Sequence, residues 1–293
     1  MRILHLDSGR EMRGGQWQAL RLHRALLKLG HESTLLAREG SPLMAMANCQ
    51  PIRPLRLAHL SRSFDIIHAH DARSHTLGAL FARVPLVVSR RVAFPVKTSA
   101  LSRWKYSQPA RFLAVSRFAA TQLTRAGVKP DRIAVVYDGV EIPDTPAQGD
   151  KILTPYTLDP AKGMALAEAA ASQAGVAIHR STNLTADLPH ARALVYLSRS
   201  EGLGSGILLA MAHGITVIAS NTGGIPELIE DGVSGITVEN NIEAVAAAFA
   251  RIDPTLGQNA RQTVLQKFTV DRMAQATLEA YGHAATAALL GTS

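Results

Sequence analysis

The sequence predicts an α/β protein built from two Rossmann-like domains with parallel sheets, and three observations predict it. Short apolar runs rich in β-branched residues alternate with amphipathic stretches along the first half, and the same style returns in the second half. A segment with Pro143, Pro146 and several acids, Val140 to Gly149, separates the halves and reads as a linker. The length, 293 residues, suits one or two domains and so permits the division. Strands that alternate with helices imply βαβ units, and such units assemble into parallel sheets covered on both faces.

Taken in order, Arg2 to Leu6 is a strand, Gly14-Gly15 a loop, and Gln16 to Leu29 a helix. Trp17, Leu20, Leu26 and Leu27 fall there at helical spacing, and Gly30 ends the run. Strands follow at Ser33–Ala37, Asp65–His68, Leu86–Ser89, Phe112–Val115 and Ile133–Val136, with helices over 72–82 and 117–126. The second half offers strands at Lys151–Pro155, Val176–His179, Ala193–Leu197, Thr216–Ala219 and Gly235–Val238. Its helices lie near 162–174, 205–213, 224–230 and 241–251, and two more, 255–267 and 270–290, close the chain. The expected domains are 1–143, 144–269, and a terminal helix over 270–293 that packs back toward the first domain.

Composition narrows the function classes. Charged residues make up 18% and hydrophobic ones 47%, so the chain is neither a disordered polyelectrolyte nor a low-complexity fibre. The most hydrophobic stretch, Gly206 to Ala219, is short for a membrane span and carries His213, and the first residues lack the pattern of a signal peptide. The lone cysteine, Cys49, has no internal disulfide partner, which agrees with a reducing compartment. A cytoplasmic protein is expected. Residues 1–146 hold 22 Lys and Arg against 10 Asp and Glu, whereas 147–293 hold 9 against 13. A half this basic attracts anions, among them nucleic acid, an acidic bilayer surface or a phosphorylated substrate. No nucleic-acid module is recognisable, and no Gly-x-Gly-x-x-Gly follows the first strand as a nicotinamide dehydrogenase would need.

Ligands of such sheets sit beyond the carboxyl ends of the strands, so chemistry is sought in the loops there. The segment Ser198-Arg-Ser-Glu201-Gly202-Leu203-Gly204-Ser205-Gly206 leaves an apolar strand and enters a helix. Its glycines let backbone approach a ligand, the amides opening the helix suit an anion or hydroxyl, and Glu201 can accept hydrogen bonds from hydroxyls such as those of a sugar. Beyond it run Ala210-Met-Ala-His-Gly214, a Val-rich strand, Gly223-Gly224-Ile-Pro-Glu227 and Asp231-Gly-Val-Ser-Gly235.

This order closely resembles the donor-binding signature of GT-B glycosyltransferases of the glycogen-synthase-like family 4, and the resemblance extends over nearly the whole chain. Gly14-Gly15 matches the family's glycine loop, Asp65-Ile-Ile-His68-Ala-His70 its Asp-x-x-His-x-His stretch, Ala114-Val-Ser116 its Ala-x-Ser segment, and Tyr137-Asp138-Gly-Val-Glu its Asn-Gly-Val-Asp. The resemblance implies a GT-B-like fold of two facing domains with the C-terminal one shortened. It implies sugar transfer from a nucleotide sugar to a hydroxyl of a glycan or lipid-linked acceptor, with retention, in cell-envelope polysaccharide or lipopolysaccharide synthesis.

Within it, Lys162 of Lys162-Gly163 aligns with the lysine on the donor diphosphate, and Gly14 and Gly15 with the loop near the same phosphate. His70 aligns with the histidine near the transferred sugar, and Glu201 with Gly202, Leu203, Gly204, Ser205 and Gly206 forms the rest of the donor site. Catalytic roles fall to His70, Glu201 and Lys162. No cofactor is implied beyond the co-substrate. His68 and His70 share one side of a strand, but no third ligand follows at recognisable spacing, so no metal is expected.

Three departures stand out. Leu209 occupies the place of the family's second glutamate, which binds the ribose, and Thr157 that of an arginine. Between Gly163 and Ala193 only one helix, one short strand and one short helix fit, so tens of residues and much of the nucleobase pocket are missing; Arg180 or Arg199 is a candidate replacement for the lost phosphate contact. These departures support an alternative, a donor-impaired relative that binds a glycan, lipid or partner. Finally, Arg90, Arg91, Lys97, Arg103 and Lys105 cluster with Phe94, Trp104 and Tyr106 in the acceptor-side domain. The mixture predicts peripheral contact with the anionic cytoplasmic face of an inner membrane.

Overall fold

The structure, a computed structural model, describes residues 1–97 and 99–290. It divides into two units, Met1–Asp138 together with the helix from Val270, and Gly139–Thr269. The terminal-helix expectation included residues 291–293, which lie outside the described residues.

The first unit begins β1 (Arg2–Asp7), α1 (Gly14–Lys28), β2 (Glu32–Ala37), α2 (Pro42–Ala47), β3 (Gln50–Pro51) and α3 (Pro54–Leu60). It continues β4 (Ile66–Ala69), α4 (Ala72–Phe81), β5 (Leu86–Arg90), α5 (Ala100–Ser107), β6 (Arg111–Ala114), α6 (Arg117–Arg125) and β7 (Ile133–Val135). All seven strands are parallel in the order β3-β2-β1-β4-β5-β6-β7. The order reverses between β1 and β4, and a crevice opens beyond the carboxyl ends of strands at such a switch point. Gly14 and Gly15 are the first two residues of α1 and not a loop. The helix starts early because Asp7 at the end of β1 accepts from the Gly9 amide at 2.8 Å and from Gln16 Nε2 at 3.1 Å, which ties the turn to the first helical residues.

The second unit contains β8 (Lys151–Pro155), α7 (Met164–Ala174), β9 (His179–Ser181), α8 (Leu184–Asp187), β10 (Ala191–Tyr196), α9 (Ser205–Ala212), β11 (Thr216–Ser220), β12 (Ile236–Val238), α10 (Ile242–Phe249) and α11 (Pro254–Lys267). Its parallel sheet runs β12-β11-β10-β8-β9, with a switch point between β8 and β10. The strand expected at Val176–His179 lies two to three residues later, where His179 to Ser181 pair with Leu153 to Pro155. The helix expected over 224–230 is a single 3-10 turn, Ile225–Glu227, with Pro226 within it. The boundary expected at 143/144 lies inside this unit, because the Val140 amide donates to the Phe268 carbonyl at 2.9 Å and Arg261 Nη2 to the Pro143 carbonyl at 2.5 Å.

The last helix, α12 (Val270–Leu290), belongs to the first unit. Met273, Ala274, Tyr281 and Ala284 pack with Leu22 and Leu26 of α1 over Ile3, Ile66, Val87 and Leu113. Those four sheet residues lie on one face, since alternate residues of a strand point the same way. His5 and His68 share that parity with Ile3 and Ile66, so they stand under α1 and α12. The second unit has its own core of Ile152, Ala193, Val195, Ile218 and Ile236 against Ala167, Ala170 and Val245.

Candidate functional site

Each unit carries a polar group at its switch point. In the second, Lys162 follows β8 and Glu201 follows β10, adjacent strands whose ends are bound together by the Arg199 amide donating to the Ala161 carbonyl at 2.9 Å. Lys162 Nζ donates to Glu201 Oε2 at 2.6 Å, and the side chains keep 38% and 17% of their exposure. Gly204, with φ of +113°, precedes the first residue of α9, and the amides opening that helix have no partner within it. The run Gly202 to Gly206 thus delivers a positive helix end to the strand end that carries Glu201. Gly223 explains the Gly-Gly pair: a Cβ there would stand 2.1 Å from the Glu201 carbonyl oxygen, which also accepts from the Gly224 amide at 3.0 Å. Behind the loop, Asn240 Nδ2 donates to the Ser198 carbonyl at 3.0 Å and Ser220 Oγ receives the Ser198 amide at 2.9 Å.

The predicted donor residues Lys162, Glu201, Gly202, Leu203, Gly204, Ser205 and Gly206 are therefore brought together in one unit. Leu209 is half-buried on α9, and the Thr157 hydroxyl closes a local turn by accepting from the Asp159 amide at 3.1 Å. Arg180 does not replace the missing cation, because its guanidinium is held by both oxygens of Glu168. Arg199 is exposed beside Glu201 in sequence.

In the first unit, Gly14 and Gly15 open α1, and a Cβ on Gly15 would meet nothing within 4 Å, so the space beside this residue is open. His70 follows β4, and its amide continues the ladder to the Leu6 carbonyl at 2.9 Å. Its ring turns inward. Nε2 lies 2.9 Å from His5 Nδ1 and Nδ1 lies 3.1 Å from Arg91 Nη1, leaving the residue 5% exposed. His68 is bonded at both nitrogens, Nδ1 to Tyr281 Oη at 2.6 Å and Nε2 to Ser89 Oγ at 2.7 Å. Burial, with Arg91 and neighbouring rings, holds the pKa of His68 and His70 well below the usual imidazole value, and that of His5 is pushed down to about 3. Burial raises the Asp138 carboxyl against the opposing pull of Arg91.

Two expectations change here. Spacing showed no third partner for His68 and His70, but His5 on β1 stands opposite His68 in register, and one nitrogen from each ring falls within 4.8 Å of the others. Register between strands is invisible in a linear spacing. As bonded, the group is a hydrogen-bond chain: an arginine only donates, so its hydrogen bond requires Nδ1 of His70 to be unprotonated and places the hydrogen on Nε2, the nitrogen that reaches His5. The proposed basic patch also divides. Arg91 points inward to His70 and Asp138, Arg90 binds Tyr106 Oη at 3.3 Å and the Phe94 carbonyl, and Lys105 Nζ donates to the Ala72 carbonyl at 2.6 Å. Lys97 and Arg103 are exposed. Tyr281, Ser89 and Asp138 were not among the expected site residues, and only the Asp-Gly after β7 marked the last of them.

Comparison with known proteins gives the arrangement its family. Residues 12–142 match the model described as Glycosyltransferase Family 4, and residues 158–252 that described as Glycosyl transferases group 1. The chain is 26% identical over 333 aligned positions to a D-inositol 3-phosphate glycosyltransferase of Streptomyces bingchenggensis (strain BCW-1), covering 85% of this chain and 73% of that one. HepE of Anabaena, solved with UDP and glucose, shares the fold at a TM-score of 0.80 and 17% identity, over 95% of this chain and 98% of the other. The lipopolysaccharide outer core galactosyltransferase WaaB in its apo form does so at 0.72 and 14%, over 96% and 99%. With two parallel sheets whose switch points carry the family's motifs in order, the chain belongs to the family 4 glycosyltransferases of the GT-B fold.

Proposed function

We propose that this glycosyltransferase moves a sugar from a nucleotide sugar to a hydroxyl of a glycan or lipid-linked acceptor in cell-envelope polysaccharide or lipopolysaccharide synthesis, with retention at the anomeric carbon. The observation that carries the donor half is the Lys162–Glu201 pair at the start of α9, a cation and a hydroxyl acceptor beside a positive helix end. UDP and glucose in HepE, and the lipopolysaccharide substrate in WaaB's name, agree with it. In this reading Lys162 and the α9 amides stabilise the diphosphate as its bond to the anomeric carbon breaks, and the departing phosphate takes the proton of the attacking acceptor hydroxyl. Glu201 holds hydroxyls of the sugar. Gly14, Gly15 and His70 take the phosphate-loop and sugar-side roles that the family resemblance gives them, and no metal or cofactor enters the scheme.

Exposed apolar groups support a lipid-linked acceptor. No residue of α5 is buried, Leu101 is 73% and Phe94 65% exposed, Trp104 is exposed on the same helix, and Lys97 and Arg103 lie close by in sequence. Such a surface suits peripheral contact with anionic lipid on the cytoplasmic face of the inner membrane. Among the described residues no helix is long and apolar enough to cross a membrane.

The test is a screen of UDP-, GDP- and ADP-sugars for nucleotide release with and without lipid-linked acceptor, run on the wild type and on Leu209→Glu. Turnover of one donor, and tighter donor binding in Leu209→Glu, is the expected result. Leu209 favours a second reading, a glycan- or lipid-binding relative impaired for donor; binding of no sugar nucleotide by either form establishes that reading instead.

A further inference from the structure

His70 is gripped by groups from several elements, and the bonding of the grip is determinate. A guanidinium carries N–H donors and no acceptor, so Arg91 Nη1, 3.1 Å from His70 Nδ1, bonds an unprotonated nitrogen. The hydrogen of that ring is on Nε2, which donates to His5 Nδ1 at 2.9 Å. His5 then carries its hydrogen on its own Nε2, a buried atom with no partner. One cation thereby selects the tautomer of two rings. The cation is itself fixed: Arg91 Nε donates to Asp138 Oδ1 at 3.0 Å, with the side chains 13% and 9% exposed. Leu113, Val136 and Met273 close around the pair, leaving a cavity of only about 10 Å³.

We propose that Arg91 and Asp138 are positioning residues for sugar transfer, acting through His70: the buried pair holds His70 and His5 in one tautomer and so fixes the chain where β4 ends at the switch point. This rests on the transferase reading above. Asp138 stands where the resembling family has asparagine. A buried guanidinium needs a full countercharge, which the carboxylate supplies and an amide does not. The titratable and charged groups about His70 are His5 and Asp7 on β1, His23 on α1, His68 and Asp71 on and after β4, Arg91 after β5, Asp138 after β7 and Tyr281 on α12. Burial and the charge on Arg91 keep His70 neutral well below its usual range. The role of Arg91 therefore reads out as a pH response as well as a rate.

The experiment is long-range proton–nitrogen NMR on the full chain with ¹⁵N-labelled histidine, paired with kinetics on the donor the wild type turns over. His70 is expected as the single tautomer protonated at Nε2 from pH 8 to 6, and kcat is expected to be flat over that range. In Arg91→Gln the amide can accept as well as donate, so the Nδ1–H form appears. That variant is expected to lose about 10–100-fold in kcat, with donor KM changed less than about threefold. Its acid limb moves to higher pH than the wild type's, because the charge on Arg91 is gone, while burial still holds the ring below the ordinary imidazole value. Arg91→Lys, a donor only, restores the tautomer and part of the rate. Should Arg91→Gln not fold, Asp138→Asn is the second variant, expected to give mixed tautomers and a severalfold lower kcat. An Nδ1–H tautomer at His70 in the wild type overturns the proposal. So does a kcat within about twofold of wild type in a variant whose tautomer has switched. A wild type that turns over no sugar nucleotide overturns the transferase reading and with it the role of the pair, while the NMR result still decides the histidine chain.

Discussion

Lys162 Nζ and Glu201 Oε2 stand 2.6 Å apart, so the two groups assigned to donor phosphate and sugar neutralise each other before any donor arrives. Both are partly exposed, and a pair of this kind contributes about 0–1 kcal/mol to stability. Substitutions there should leave the protein folded and show their effect in binding and rate. Glu201→Gln frees the ammonium for a phosphate and should tighten nucleoside diphosphate binding severalfold, while turnover falls about 10²–10³-fold because a neutral amide with a single acceptor oxygen replaces the carboxylate that receives the sugar hydroxyls. Lys162→Ala should weaken the same diphosphate and lower turnover together. Calorimetric titration with the diphosphate, beside initial rates, separates the two. Weaker diphosphate binding in Glu201→Gln would remove the competition argued from the ion pair.

At the scale of elements, much of the architecture could be read from the chain because buried parallel strands are near-continuous apolar runs, as at Ile66-Ile67 and Ala193-Leu194-Val195. The short α2, β3 and α3 were not legible, since helices of six or seven residues hold too few turns to show a period and a strand of two residues shows no alternation. The Lys162-Gly163 and Glu201-to-Gly206 segments could be found because each is contiguous and its glycines have fixed backbone tasks. The histidine chain could not, because it is assembled across β1, β4 and the loops after β5 and β7, and no local pattern records which strands become neighbours. For the same reason Arg91 read as surface charge: composition says that a cation is present, not which way it turns. Least legible is the link between α12 and β4, in which Tyr281 Oη meets His68 Nδ1 at 2.6 Å across 213 residues of sequence. Both residues are fully buried, so Tyr281→Phe should leave an unpaired nitrogen in the core and cost about 1–3 kcal/mol. Denaturant unfolding of the full chain measures it, and an unchanged midpoint would show that this hydrogen bond adds nothing to the docking of α12.

For the whole molecule, basicity and buried histidines both concentrate in the first unit, and the second makes its response to acid distinctive. His5, His68, His70 and His75 are each at most 5% exposed, and burial is the leading cause of the lowered pKa in all four, with His5 and His75 pushed down to about 3. A histidine whose folded pKa lies below its unfolded value contributes stability that is complete above about pH 6.5. That contribution is lost as pH falls toward the folded value, because the unfolded chain binds protons that the folded unit refuses. Each ring kept neutral costs about 1.4 kcal/mol per pH unit below that point. Asp7 and Asp138 act in the opposite sense, since burial raises their pKa, but their unfolded counterparts titrate near pH 4. Between pH 6.5 and about 4.5 the histidines outnumber them. In the second unit burial and Arg261 lower the pKa of the half-buried His213. The first unit should therefore lose thermal stability steeply from pH 7 to 5 while the second changes little, so the transition of the first unit moves to lower temperature relative to that of the second. Calorimetric scans in buffers of different ionisation enthalpy would record several protons taken up on unfolding of the first unit at pH 5.5. Uptake of fewer than about one proton would mean that the buried rings already titrate in the folded state.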